Sequence, residues 1–537
     1  MSVLSPLTSA LTRFAARRLR QYDFDSARFF AADGASAEVE ETRRAAFLRL
    51  SERLRQRSPE TARLSTTLSN TLSDLQFTNS HRVPFPFAAM ASRHLPSGSL
   101  LTESRGDRLI DADGHESFDV SGSYGLNVFG YEFYKTTLAE GMAAVSSLGP
   151  VLGHYHPVIL ENARRLAAIS GLDEVSFHMS GTEAVMQAVR LARFNTGRKY
   201  LVRFKGAYHG WWDGVQPGLG NPRPPHDVLT LRELDPKALD DVRSRLDIAC
   251  VLVNPIQAMH PNADPPSDGA LLTGARQAGF NRAAYATWLK SLREACDRTG
   301  TALVLDEVFV GFRLARGGAQ EYFDVRADMV TYGKTLGGGL PVGVLCGKRA
   351  LMRRFDPDHP ARLSLARGTF SAHPAVMGAM DRFLSHIERP EVRDAYAPID
   401  TRWTARFEAL NQRLEEADVP VRVAHMGSIA CLWFTRPSRY HWMLQYYLRV
   451  EGLALSWIGT GRLIFSHVCP DGEFEQIAAR IVRAAVAMNT GAWWAVHQTA
   501  GDIRRLLLRE ALSATFSGRP RRSHVLVRDD GVEQVTS

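Results

Sequence analysis

Two short apolar stretches, 302–305 and 329–332, organise the pattern of hydrophobic and polar positions along this chain. Roughly twenty-five residues with a helix-like pattern separate them, which is typical of two parallel strands joined by a crossover. The first stretch ends on Asp306, and the second ends on Gly333 and Lys334, ahead of three consecutive glycines. Because functional groups collect at the carboxyl ends of parallel strands, this pattern predicts an acid and an amine at the same edge of a sheet.

Further apolar stretches alternate with amphipathic segments on either side of this unit. Strand-like stretches lie at 175–179, 200–204 and 248–253, and apolar residues recur at helical spacing over 181–194 and 281–299. The alternation predicts an α/β fold in which helices flank a mostly parallel central sheet.

The two ends of the chain follow other patterns. Residues 1–75 have apolar positions three and four apart and predict helices, whereas turn signals at Gly106 and at Asp113-Gly114 predict a β-meander. Alternating positions at 421–434 and 453–466, interleaved with helices, predict a smaller α+β domain. The predicted divisions are a helical extension at 1–75, the meander segment at 76–145, a large domain at 146–375, the small domain at 376–490, and a helix with a polar tail at 491–537.

Composition is that of an ordinary globular protein, with 45% hydrophobic and 23% charged residues. No apolar run approaches the ~18 residues of a membrane-spanning helix, so we expect none. Five dispersed cysteines without CxxC spacing predict reduced thiols in the cytoplasm, without a zinc site or a disulfide framework.

The formal net charge is +8, and arginines cluster near both ends of the chain. A basic chain can attract nucleic acid, an anionic membrane or an acidic protein. Terminal helices with solvated arginine-rich faces are the favoured interpretation, and we predict no nucleic-acid partner. The arginine-rich start fits an organelle transit peptide and a cytoplasmic helix equally well.

The chemistry predicted at the central edge depends on Lys334 and Asp306. A lysine at a glycine-rich strand exit can form a Schiff base with an aldehyde cofactor, and a facing acid can keep a pyridine nitrogen protonated. The alternative interpretation is an ordinary exposed lysine and an aspartate that caps a helix.

A second candidate site follows the stretch at 175–179. Ser180, Gly181 and Thr182 open a long helix, where free backbone N–H groups and hydroxyls could hold a phosphate. Ser180 also fits a helix N-cap, with Glu183 completing a capping box. The two interpretations are compatible.

Aromatic residues cluster in a third stretch, after the apolar segment at 200–204. Tyr208, His209 and Trp211 lie between glycines, where an aromatic side chain can lie against a planar ring. Core or loop packing is the alternative interpretation. The segment contains no cluster with metal-ligand spacing, and we predict no metal site.

These segments together resemble the class III aminotransferases, which are fold-type I pyridoxal-phosphate (PLP) enzymes, and especially their glutamate-1-semialdehyde aminomutase-like branch. The resemblance covers roughly residues 83–488. It implies PLP as cofactor, a large and a small domain, and a homodimer with cofactor sites at the subunit interface. The segments that carry it are SFHMSGTEAVMQAVRLARFNTGR, GAYHGWWD, LVLDEVFVGFR, TYGKTLGGGLPVG and GTFSAHP.

The resemblance also implies residue roles. Lys334 would be the Schiff-base lysine and proton shuttle, Asp306 would pair with the pyridinium nitrogen, and Val308 would pack on the ring face opposite Tyr208. His209 belongs to the same cofactor-binding set. The implied phosphate ligands are Ser180, Gly181, Thr182 and, from the neighbouring subunit, Thr369.

The substrate pocket implied by the resemblance includes Tyr124, Asn254 and Trp211. Asn254 stands where the family strand usually ends in glutamate, and His373 stands where the semialdehyde branch usually has asparagine. The bulky Trp211 near the cofactor loop favours an unusual substrate.

One further departure bears on the reaction. The semialdehyde branch has a glutamate in a context like LAPSQFEAGF, and the matching stretch here, LALSWIGTGRLI, has Gly459 at that place. Arg462 lies nearby, and no acid occurs between Gly452 and Cys469. This pattern favours an aminotransferase over an aminomutase.

The leading functional prediction is therefore amino transfer from an amino donor to a ketone or aldehyde. An acyl-chain or carrier-bound intermediate of secondary metabolism is the expected acceptor type, with an acidic carrier protein as a possible partner. The alternatives are intramolecular amine transfer, as in an aminomutase, decarboxylation on the same scaffold, and a PLP-fold protein that only binds partners.

Overall fold

A computed structural model of the chain describes residues 20–98, 100–216, 221, 223, 226–262, 278–456, 461–495 and 498–516. Its N-terminal part is helical and leads into a three-stranded meander. The elements are α1 Ser26–Phe30, α2 Ala37–Arg57, α3 Pro59–Ser69, α4 Ser73–His81, α5 Phe85–His94, β1 Leu101–Arg105, β2 Arg108–Asp111, β3 Glu116–Asp119, α6 Gly122–Gly125 and α7 Tyr131–Ala144.

The middle of the chain alternates strands and helices. Its elements are α8 Val158–Ser170, β4 Glu174–His178, α9 Gly181–Thr196, β5 Tyr200–Phe204, β6 Val228–Leu231, α10 Pro236–Ser244, β7 Ile248–Val253, α11 Arg282–Thr299, β8 Ala302–Asp306, α12 Gly318–Phe323, β9 Met329–Gly333, β10 Gly343–Gly347 and α13 Arg349–Met352, with 3-10 turns at Pro255–Met259 and Lys334–Gly337.

The C-terminal part returns to a mixed pattern. Its elements are α14 Pro374–Ile387, α15 Pro390–Ala395, α16 Ile399–Glu416, β11 Val421–Met426, β12 Ile429–Phe434, a 3-10 turn at His441–Met443, α17 Leu444–Val450, β13 Leu453–Ala454, β14 Arg462–Ile464, α18 Asp471–Thr490 and α19 Ala500–Phe516.

The central sheet has seven strands in the order β4-β10-β9-β8-β7-β5-β6. The pairs from β9 through β6 are parallel, while β10 runs antiparallel to both β9 and β4. Every residue of β7, β8 and β9 is buried, as expected for strands covered on both faces by helices. The predicted α/β class with a mostly parallel central sheet is confirmed.

Two smaller sheets accompany the central one. Strands β11, β12 and β14 form an antiparallel sheet with α16 and α18 packed nearby. The predicted meander forms as β1-β2-β3, and the short β13 joins its edge parallel to β3. The stretch predicted as one strand at 453–466 thus serves two sheets, and residues 457–460 lie outside the described part of the chain.

The N-terminal helices belong to the same core as the C-terminal domain. Phe29 and Phe47 pack into one buried cluster with Trp442 and Trp493. Arg43 forms a buried ion pair with Asp33 at 2.7 Å. The N-terminal extension therefore packs on the C-terminal domain, whereas the predicted domain boundaries stay a prediction.

None of the helices in the described residues is both long and apolar enough to span a membrane. The longest helices, α2 and α18, carry charged residues along their length.

Candidate active site

Asp306 and Lys334 lie at the carboxyl ends of two neighbouring parallel strands. Asp306 ends β8, and Lys334 directly follows β9, whose Thr331 is the register partner of Asp306. Lys334 has a φ of +48°, a left-handed backbone conformation that costs a non-glycine residue free energy. Such strain is found where surrounding structure fixes a residue for function, and here it turns the lysine out of the strand direction.

The Asp306 side chain is held by three groups. Its Oδ2 lies 2.8 Å from Nδ1 of His209, and its Oδ1 accepts hydrogen bonds from the Thr331 hydroxyl at 3.2 Å and the Val308 N–H at 3.3 Å. Asp306 is only 3% exposed. A buried carboxylate oriented in this way presents a fixed negative charge at the edge of the sheet.

The amine of Lys334 is largely enclosed, and charged side chains of both signs act on it. Burial lowers the pKa of Lys334, the negative charge of Asp306 partly opposes this change, and the positive charge of Arg462 adds to it. The Lys334 Nζ lies 5.6 Å from the ring centre of Phe309, and the Arg462 guanidinium lies 5.5 Å from the same ring. A lysine with a lowered pKa has a larger fraction of the neutral, nucleophilic amine near neutral pH.

The N-terminus of α9 faces the same edge. Ser180 caps the helix by accepting a hydrogen bond from Glu183 N–H at 3.2 Å, and Glu183 accepts one from Met179 N–H at 2.9 Å. The capping interpretation of Ser180 is therefore correct. Because this cap leaves the N–H groups of Gly181 and Thr182 at the positive end of the helix, an anion can also bind there.

Close packing fixes the backbone around this helix end. A Cβ on Gly181 would lie 2.6 Å from Cγ1 of Val308, and a Cβ on Gly210 would lie 2.5 Å from the Thr182 hydroxyl. Gly210 also has a φ of +91°, which favours glycine. Any side chain at these two places would fill the space between the helix end and the strand ends.

The donor set at this edge fits PLP. The open N–H groups and hydroxyls at α9 suit its phosphate, the Asp306 carboxylate suits a pyridinium nitrogen, and Lys334 supplies the amine for its aldehyde. His209 supports the fit, because it is 2% exposed and its Nε2 has no hydrogen-bond partner among the described residues.

Comparison with known sequences decides the family. The sequence model of the aminotransferase class-III family matches residues 89–216 and 269–485, which is well over half of the chain. The chain belongs to the class III aminotransferases.

Solved structures agree with this assignment. A transaminase with PLP bound is 26% identical, with a TM-score of 0.61 over 73% of this chain and 92% of that one. A β-phenylalanine aminotransferase from Variovorax paradoxus is 25% identical, with a TM-score of 0.63 over 82% of this chain and 96% of that one. A glutamate-1-semialdehyde aminomutase from Pseudomonas aeruginosa PAO1, at 19% identity and a TM-score of 0.66 over 83% and 98% of the two chains, shows the shared fold. This aminotransferase is thus a fold-type I enzyme that uses PLP, and the predicted class and cofactor are confirmed.

Asn254 has a local structural task in this aminotransferase. Its Nδ2 donates to the Tyr208 carbonyl at 2.8 Å, and its Oδ1 accepts from Ile256 N–H at 3.3 Å. The side chain thereby ties the loop of Tyr208 to the end of β7. Its predicted contact with substrate stays a prediction.

Four predicted site residues are exposed, and Tyr124, at 44%, is one of them. Tyr208 is 62% exposed and Trp211 74% exposed, and Thr369 is exposed as well. His373, in the same segment as Thr369, caps α14 by accepting a hydrogen bond from Ala375 N–H at 3.2 Å. The roles predicted for the exposed residues stay predictions. Gly459 lies outside the described residues.

Tyr124 lies in a glycine- and serine-rich turn with left-handed backbone conformations. Ser123 and Tyr124 have φ values of +44° and +58°. The Ser123 and Tyr131 hydroxyls lie 2.6 Å apart, and Tyr131 donates to Asp119 at 2.6 Å, which anchors the turn.

Arg313 stabilises this turn through hydrogen bonds, a role that the sequence pattern did not predict. It is 1% exposed and donates to the carbonyls of Gly125 at 3.2 Å and Asn127 at 2.7 Å. An arginine between apolar residues seven positions after Asp306 was the available signal.

Proposed function

We propose that this protein moves an amino group from an amino donor to the ketone or aldehyde of an acyl-chain compound of secondary metabolism. The observation that carries the proposal is the placement of Lys334 and Asp306 on neighbouring strand ends, beside the open N-terminus of α9. When bound there, PLP supplies an electron sink for bonds at the substrate amine carbon.

The side chains around that position have separate tasks in the proposal. Lys334 binds the aldehyde carbon covalently between reactions and, as a free amine, moves a proton at the substrate Cα. Asp306 keeps a proton on the pyridine nitrogen. His209 and Thr331 orient the carboxylate of Asp306 for that task.

Binding and shielding fall to the remaining residues of the set. Ser180, Gly181 and Thr182 would hold the phosphate, while Val308 and Tyr208 would flank the ring. The Val308 methyl groups pack against Gly181. The residue proposed to flank the ring is therefore in direct contact with a residue proposed to hold the phosphate.

The charges near Lys334 favour an aminotransferase over an aminomutase. Arg462 acts on the pKa of Lys334 from its place in β14, and residues 461–469 contain no acid. An aminomutase must keep its diamine intermediate in the pocket until the amine group is returned, and a carboxylate in the pocket wall could interact with the amino groups of that intermediate. The positive wall near Lys334 lacks such a carboxylate. The product is therefore free to leave, which an aminotransferase requires.

Purified enzyme should accordingly need a separate amino donor. We expect one equivalent of keto product per enzyme from a donor alone, and continuous turnover only when a carbonyl acceptor is added. Chromatography of both products and the visible absorption of bound PLP measure this. Efficient isomerisation of glutamate-1-semialdehyde without any donor would show an aminomutase instead.

A homodimer with shared sites is part of the proposal. The Thr369 side chain is exposed and makes no hydrogen bond to another described residue. Its hydroxyl would complete the phosphate site of the partner subunit.

Hybrid dimers test this arrangement. Thr369→Asp should be inactive, since its carboxylate would repel the phosphate, whereas Thr369→Ser should stay active. A mixture of Thr369→Asp with Lys334→Ala subunits should recover about a quarter of wild-type activity, because about half of randomly assembled dimers are hybrids with one intact site. Inactivity of a mixture in which mass spectrometry shows hybrids would refute the shared site.

The acidic carrier protein and the cytoplasmic location stay predictions. The arginines that prompted the carrier prediction fall at the chain ends, mostly outside the described residues.

A further inference from the structure

Two arginines, the buried Arg82 and the partly buried Arg449, lack an acidic partner among the described residues. Arg82 is 2% exposed, and its Nε and Nη1 donate no hydrogen bond there. Arg449 donates from Nη2 to the Ser456 carbonyl at 3.0 Å, and its buried Nε has no partner. Residues 457–460, which follow Ser456 outside the described part, contain no acid.

Burying two cations together is unfavourable unless an anion compensates them. Burial, reinforced by the positive charge of Arg82, lowers the pKa of Arg449 to about 9, and burial also lowers the pKa of Arg82. Burial raises the pKa of the neighbouring Tyr446 hydroxyl, so this group carries no charge at neutral pH and cannot serve as the counter-ion. Within the described part of the chain, this positive site therefore has no acidic counter-ion.

Arg449 lines a cavity of about 390 Å³, a volume within the usual range for small-molecule sites. The cavity lies between α2, α3, the meander and the Tyr124 turn. Its apolar wall consists of leucines from these elements, namely Leu54, Leu100, Leu101, Leu109, Leu453 and Leu455. One acid, Asp111, also lines it, and that carboxylate accepts hydrogen bonds from the Ser58 hydroxyl and the His115 N–H.

The Tyr124 turn lies between the cavity and the proposed reaction centre in the chain of contacts that links them. Tyr124 lines the cavity, and the adjacent Gly125 packs so closely on Phe309 that a Cβ would lie 2.8 Å from the ring. The same ring lies 5.6 Å from the Lys334 Nζ. These contacts bring the cavity close enough for the inference that a substrate reacting at Lys334 extends past Tyr124 into it.

Part of this cavity lies outside the segment that matches the class III family. Leu54 and Arg57, which line it, precede residue 89, where that match begins, and so does Arg82. The N-terminal helices thus supply a wall that the matched family segment does not contain. The Arg57 guanidinium in this wall donates to the Glu116 carbonyl at 2.9 Å and adds positive charge.

We propose that the substrate carries a carboxylate at the far end of an apolar carbon chain, that the leucine-lined cavity holds the chain, and that Arg449, backed by Arg82, binds the carboxylate. The planar fork of a guanidinium matches a carboxylate in a two-point contact. This proposal rests on the proposed function and narrows its acceptor to an acyl compound with an anionic end.

Carboxylate binding can be measured without turnover. Calorimetric titration of the PLP-loaded enzyme with hexanoate and octanoate should show binding at least about 30-fold tighter than with 1-hexanol and 1-octanol, since a hydrogen-bonded charge pair supplies that difference. Arg449→Met, which replaces the unpaired cation by an apolar side chain of similar length, should remove the preference. Arg483→Met, which changes an exposed arginine paired with Glu451, is the matched control and should keep it.

A second arm uses the reaction itself. Amine consumption is followed for ω-amino acids of increasing length, each beside the n-alkylamine of the same carbon number. Wild-type kcat/KM should favour the amino acid by at least about 30-fold, Arg449→Met should lose this ratio, and Arg483→Met should keep it. An unchanged ratio or an unchanged carboxylate preference in Arg449→Met overturns the anion site and leaves amino transfer standing. Arg449-dependent carboxylate binding in an enzyme that converts no amine keeps the site and refutes amino transfer.

Discussion

Lys334→Ala abolishes transamination, with an expected loss of at least about 10⁴-fold in kcat, which corresponds to about 5.5 kcal/mol of activation free energy. The reason is that Lys334 supplies an enclosed lysine amine near Asp306, at the end of β9. The alanine variant loses the covalent link to PLP and the base that moves the Cα proton. Steady-state assay with the best donor and acceptor measures the loss.

Two further variants test whether the loss of activity comes from the missing reactive amine of Lys334. Lys334→Arg keeps a positive charge without a nucleophilic amine and should be as inactive as the alanine variant. Lys290→Ala, which removes an exposed lysine paired with Asp324, should be fully active. Appreciable turnover by Lys334→Ala, with PLP bound normally, would exclude the assigned role.

Asp306→Asn should keep the fold and lose about 10³-fold in kcat, or about 4 kcal/mol. The amide oxygen can still accept from the Thr331 hydroxyl and the Val308 N–H, so local packing survives. The amide cannot hold a proton on the pyridine nitrogen by charge, and the electron sink is weakened. Rapid-mixing measurement of the first half-reaction isolates this step from product release.

The same substitution has an effect on Lys334 that needs no cofactor. Asp306 raises the pKa of Lys334 and Arg462 lowers it, so in apoenzyme Asp306→Asn should lower that pKa and Arg462→Met should raise it. The pH dependence of Lys334 modification by trinitrobenzenesulfonate reports both shifts. Asp324→Asn, at an exposed acid, should change neither the pKa nor kcat. Near-wild-type kcat in Asp306→Asn would rule out the proposed proton-holding role.

The central edge could be predicted because short apolar stretches end there on unusual residues. Strands that are buried on both faces consist of continuous apolar runs, so β8 and β9 could be predicted from the sequence. Because functional groups collect at the carboxyl ends of parallel strands, Asp306 and Lys334 could then be predicted to lie close together. Ser180 was equally visible, because a cap residue followed by Glu183 has a local signature.

Contacts made across the fold left no such signal. His209 meets Asp306 from a separate loop, and the left-handed turn at Tyr124 depends on Arg313 and Tyr131. The short β13 pairs in parallel with β3, more than three hundred residues earlier, which no local pattern predicts.

The proposed anion site in the leucine-lined cavity is the clearest case of a feature that no local sequence pattern predicts. Arg82 and Arg449 each look like surface residues in sequence, since arginine is rarely buried without a partner. The packing of the N-terminal helices on the C-terminal domain accompanies the burial of Arg82 and places Arg449 in the cavity wall.

The most direct test of the account is to locate the covalent link to PLP. Wild-type enzyme is reduced with borohydride and digested, and the modified peptide is identified by mass spectrometry. The account predicts a single pyridoxyl group on Lys334, at stoichiometric yield, and none in Lys334→Ala. A pyridoxyl group on another lysine, or loss of the visible PLP band without any modification of Lys334, would contradict it.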